Sequence, residues 1–257
     1  MLRYLLPAIL VLATTITASA EQTDFQPIAP ELAGQVEYYL ERLADCVATE
    51  EDYTDFSDRL VRDAETLKVL FVAFSSIDDL SPQKEAADYG KMMRNQQLCE
   101  TLFTAADGVA KAKDYAAAKA AVAALQKALV SPPPATKQKL TWDKTANIDA
   151  LMAQVPLVES RMRRVLKPSR FESKATEAAG YTATLIAIGQ ASWYDTSKAK
   201  DDAQKALWQK DSAAMQAAGM TVLTSFRAKD LAKTEAAYAT LKESCTECHK
   251  TFAPDQE

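Results

Sequence analysis

Histidine is almost missing from this chain: among 257 residues there is one, His249. Glycine is scarce as well, with six in all, and alternating runs of Val, Ile, Thr and aromatic residues are absent. Together these exclude a β-rich fold. Alanine-rich stretches take their place and favour helix. The four cysteines are too few for a disulfide scaffold in a chain of this length. Acidic residues outnumber basic ones, 35 to 30, for a net charge of −5, which leaves no electrostatic basis for nucleic-acid binding. Beyond the first twenty residues no segment is apolar enough to cross a membrane.

What is present begins with a leader. Met1-Leu2-Arg3 precedes an apolar run from Tyr4 to about Ala13, and a small-residue stretch closes on Ala18-Ser19-Ala20. A basic start, a short apolar core and an Ala-x-Ala end predict a secretory signal peptide over 1–20, cleaved after Ala20. The apolar run is too short to span a bilayer. The expected mature protein starts at Glu21, is soluble and periplasmic, and carries a charge of −6 once Arg3 is lost from the −5 of the whole chain.

Helix signals divide the remainder into two sets of four. The pattern predicts helices over 30–49, 54–77, 83–108 and 113–130, with breaks at Glu50–Asp52, Ser81-Pro82 and Asp107-Gly108. Ser131-Pro132-Pro133-Pro134 then opens a proline-rich linker over 132–145. Four more helices follow at 146–166, 171–191, 201–227 and 229–250. The halves share residues at an offset of 116: from Ala112 to Leu125, eight of fourteen positions are identical to those from Ala228 to Leu241. The expected fold is all-α, two tandem antiparallel four-helix bundles over 28–131 and 146–253, derived from a duplication.

Chemistry concentrates near the C-terminus. Cys245-Thr246-Glu247-Cys248-His249 is the spacing of c-type haem attachment. Two thiols reach two vinyl groups on one porphyrin edge, and the following histidine supplies an imidazole to the iron. A thioredoxin-like Cys-x-x-Cys needs a strand-to-helix junction, which an all-helical chain lacks. Structural zinc needs four ligands, and the remaining thiols, Cys46 and Cys99, belong to the other half. The sequence therefore predicts one covalent haem c per chain on Cys245, Cys248 and His249. At the matching offset the first half has Leu129, Pro132 and Pro133 and no histidine anywhere, so it is expected to be haem-free.

A bundle whose last helix ends in Cys-x-x-Cys-His resembles cytochrome c prime and its low-spin relatives, the class II cytochromes c. The resemblance covers about 140–253, including Trp208 at the opening of the third helix and the Cys-His-Lys-Thr-Phe ending. Where family members often carry a basic residue after the closing aromatic, this chain has Ala253. The resemblance implies that the first helix presents one residue to the distal face of the iron, and matching Ser160-Arg161-Met162 places Met152 there. Leu151 and Val155 would then wall the pocket. A methionine ligand implies electron transfer with a redox partner protein. Without it, a five-coordinate iron would bind a small gas such as nitric oxide or carbon monoxide. The competing reading makes Met152, Met162, Met215 and Met220 core filler. Pro156 sharpens the choice: a helix starting at Pro156 leaves Met152 outside it and breaks the register. No distal histidine exists for peroxide cleavage. Arg161, Arg163, Arg164 and Lys167 complement a helix C-terminus or pair with haem propionates. Trp193 and Trp208 read as structural aromatics, Cys46 and Cys99 as either a bridge or two buried thiols, and a homodimer is left open.

Overall fold

The computed structural model describes residues 23–134, 139–143 and 145–253; the expected leader lies outside the described residues. Among these residues there is no strand. Eight α-helices account for the fold: α1 (Ala29–Cys46), α2 (Glu50–Ser76), α3 (Tyr89–Ala110), α4 (Tyr115–Leu129), α5 (Ile148–Val165), α6 (Pro168–Tyr194), α7 (Asp202–Arg227) and α8 (Leu231–Phe252).

Most expected boundaries hold within a few residues, and the departures have local causes. Glu50–Asp52, expected as a break, forms the first turn of α2. Thr49 Oγ1 accepts the Asp52 amide at 3.0 Å while an Asp52 carboxylate oxygen accepts the Thr49 amide at 3.1 Å. That reciprocal cap, with three acids at the helix start, stabilises the turn. The interruption moves instead to a kink at Phe56. The third helix starts at Tyr89 rather than 83, because Ser81–Gln83 forms a short 3₁₀ turn around Pro82. α6 starts earlier than expected, with Pro168 in its first turn, where the missing N–H costs nothing. α5 runs unbroken through Pro156. The register that places Met152 on a helix therefore stands, and a helix beginning at Pro156 is overturned.

The residues that matched at an offset of 116 occupy equivalent places. Asp114 caps α4 by accepting the Ala117 amide at 2.8 Å, and Asp230 caps α8 by accepting the Lys233 amide at 3.0 Å. Lys229, just before that cap, takes a positive φ of 52°.

Consecutive helices pack on one another from α1 to α4 and from α5 to α8, while α1 and α2 lie across α5 and α6. One buried core runs through both sets. At the crossing Asp63 has a fully buried side chain, held by Arg42 Nε and Nη2 at 2.7 and 3.2 Å. The missing side chain of Gly180 on α6 makes room there for Gln35 of α1: a Cβ on Gly180 would fall 2.6 Å from Gln35 Nε2. The described part of the inter-half segment also joins the core. Trp142 is 4% exposed and stacks between Phe25 and Tyr194, at 5.4 and 6.4 Å between ring centroids.

Trp142 thus acts as a core residue rather than as part of a free tether. Trp142→Ala should lower stability by about 3–5 kcal/mol in urea denaturation. An unchanged midpoint would show that the segment carries no packing role.

Candidate functional site

Cys245, Cys248 and His249 fall at i, i+3 and i+4 on α8, so they share one face of the helix. All three are half-buried. They line a cavity closed by Met152 and Val155 of α5, Ser192 of α6, and Trp208, Asp211, Ser212 and Met215 of α7. The four residues the sequence connected to the site by attachment chemistry or by resemblance, Cys245, Cys248, His249 and Met152, are therefore brought together around one space. Leu151, expected as a second wall, is instead buried in the core and does not reach it.

The floor is fixed by aromatic packing. Trp208 is 4% exposed, sets its ring edge-to-face on Phe252 with centroids 4.9 Å apart, and donates its indole N–H to the Ser192 carbonyl. This contact ties the end of α8 to the start of α7 and the end of α6. The opposite seam is open. α5 and α8 are joined where the Tyr238 hydroxyl donates to the Glu159 carboxylate, and beyond that tie they scarcely approach.

The enclosed space is small, about 40 Å³. A porphyrin needs far more, and of the walls around this space α5 and α8 share few contacts. The donor set suits covalent haem: two thiols and an imidazole on one helical face, with a methionine across an otherwise largely apolar cavity. A zinc or other multi-ligand centre finds no support, since among the described residues no three of His, Cys, Asp and Glu converge on one point.

Burial sets the electrostatics. It pushes the Cys245 thiol above its ordinary value, with Glu159 adding to the effect. It pushes Cys248 up to about 12, helped by Asp211. The Asp211 carboxyl is itself raised by burial, and Glu247 reinforces that shift. The wall has no Lys or Arg among its lining residues.

Asp211 and Met215 were missed as site residues; Met215 had been read as core filler. The available signal was the spacing 208, 211, 212, 215, one face of a helix running from Trp208. The basic cluster lies elsewhere. Arg161 packs its guanidinium 5.1 and 5.7 Å from the ring centres of Tyr38 and Tyr181, while Arg163, Arg164 and Lys167 are exposed. None reaches the cavity. Met162 is buried against Thr182. Cys46 and Cys99 are both buried thiols not joined to each other, and Cys46 Sγ accepts from Arg59 Nε at 3.1 Å.

In chain made without haem, a thiol titrating at about 12 is ionised in roughly one molecule in 10⁴ at pH 8. Iodoacetamide should therefore alkylate Cys248 at least about a hundredfold more slowly than a small free thiol at that pH. Equal rates would contradict the buried, uncharged environment. Comparison of the chain with family models, with curated proteins and with solved structures finds no match.

Proposed function

We propose that this chain is an exported, periplasmic c-type cytochrome, holding one covalent haem c and serving electron transfer rather than catalysing a reaction on a substrate. The supporting observation is convergence: Met152, from a helix about a hundred residues away in sequence, lines the same cavity as Cys245, Cys248 and His249. When bound, the haem supplies a one-electron iron couple.

The protein's own residues have separable tasks. Cys245 and Cys248 anchor the group through thioethers, so it cannot be lost on reduction or dilution. His249 supplies the fixed imidazole from a helix whose end is clamped by Trp208 on Phe252. Met152 offers a thioether from the facing helix, which raises the potential and blocks entry of outside ligands. Val155 and Trp208 add apolar surface to the same cavity.

We read the two sets of helices as tandem antiparallel four-helix bundles, the first a haem-free copy. The consecutive packing within each set and the equivalent caps Asp114 and Asp230 support this. The leader motif supports export, and no described helix is long and apolar enough to cross a membrane.

A second reading, binding of nitric oxide or carbon monoxide at a five-coordinate iron, is favoured by one feature. Few contacts join α5 to α8 across the cavity, which would leave the distal side open to a small ligand.

Spectra of the oxidised and reduced protein separate the two readings. Electron transfer predicts a low-spin oxidised form with a sulfur-to-iron charge-transfer band, lost in Met152→Leu and kept in Met215→Leu. A high-spin wild type that takes up carbon monoxide at once would favour the gas-binding reading and refute Met152 as ligand. Loss of the band in Met215→Leu alone would move the ligand to α7.

A further inference from the structure

Resting on the cytochrome reading, we infer that the first four helices act as a splint for α5, and that Gln154 is a positioning residue for the distal side of the haem cavity. The inference starts from a regularity on α5. Asn147, Gln154 and Arg161 are each seven residues apart, so they form one row along the helix. All three engage the first half. The backbone N–H of Asn147, the residue that caps α5, donates to Glu65 Oε2 of α2 at 2.9 Å. Gln154, 0% exposed, donates through Nε2 to Tyr39 Oη of α1 at 3.0 Å and to Asp63 Oδ1 of α2 at 3.3 Å. Arg161 lies over the Tyr38 ring of α1.

Met152, Val155 and Glu159 project from the other side of the same helix, at roughly 100° to 160° around the axis from Gln154, given about 100° per residue. Two of these line the cavity and the third carries the tie to Tyr238. α5 is thus a wall with one face turned to the haem cavity and the other fastened to the haem-free half.

This wall needs support. Pro156 lies inside α5, and its missing N–H leaves the Met152 carbonyl without its helical partner. The helix is weakened at the residue that must be held in place, and α8 contributes little to holding it. Glu65 is itself fixed by Lys68 at 3.1 Å, and Lys68 reaches Asp107 of α3 at 2.9 Å. The row therefore transmits the rigidity of α1, α2 and α3 to the distal wall.

The test uses the full chain, with and without haem, in Gln154→Leu and Tyr39→Phe. Both keep side-chain volume; Arg42 still holds Asp63 in each, and Gln154→Leu also removes Oε1, a buried atom with no hydrogen-bond partner. Leu125→Ala, in a buried position on α4, serves as a control that loses stability away from α5. Amide exchange over 148–160 should quicken about fivefold in Tyr39→Phe, the change expected from one lost buried hydrogen bond, and at least as much in Gln154→Leu, which loses two. Carbon monoxide should bind the reduced, haem-loaded variants faster by a similar factor, and the control should match wild type. Wild-type rates in both folded variants, or an equal rise in Leu125→Ala, would overturn the inference while leaving the cytochrome reading intact. A colourless wild type would refute the cytochrome reading and the positioning role with it, whereas the exchange rates would still report whether the row holds α5.

Discussion

A fully buried carboxylate, Asp63, organises the crossing of the two halves. An ionised group in that position is costly unless its oxygens are matched, and here Arg42 supplies two donors and Gln154 a third. Burial still pushes the Asp63 carboxyl above its ordinary range despite the guanidinium beside it. Because the partners come from α1 and α5, satisfying this one group fixes α2 against both. The apolar core could tolerate some sliding of helices; this hydrogen-bonded arrangement admits one register. Gly180 lets α6 settle against Gln35 in the same register.

The site depends on that crossing indirectly. α8 contributes its sulfurs and imidazole by helical spacing alone, and α7 adds Trp208 and Met215 by the same geometry. α5 is different, because α8 scarcely touches it across the cavity. Its position is set by α6 beside it and by the hydrogen bonds that α1 and α2 of the first half make to it. On the proposed reading, the first half, which has no histidine, gains a physical role by holding one wall of the cavity in the second.

Legibility in the sequence followed the range of the interactions. The all-helical class, the eight helices and the common face of Cys245, Cys248 and His249 were readable because each depends on residues within one or two turns. Met152 was reached by resemblance and left undecided by Pro156, since whether a helix survives an internal proline depends on tertiary contacts such as those at Gln154. Asp211 and Met215 were hidden because a polar and an apolar residue on α7 become neighbours of the cysteines only after three helices pack. Trp142 was overlooked within a segment that proline and polar residues marked as linker, yet its ring found a slot between Phe25 and Tyr194. The capping of α2 by Thr49 was written in the sequence as Thr-x-x-Asp and was masked by the acidic run that follows it.

The central claim is that the sulfurs of Cys245 and Cys248 hold a porphyrin beside His249. It is tested most directly by denaturing mass spectrometry of the protein made with haem-attachment machinery present. The account predicts a chain heavier by one haem, with the added mass confined to a peptide spanning 245–249 and retained in acidified organic solvent. A chain of unmodified mass, or a pigment that leaves the polypeptide on denaturation, would contradict it.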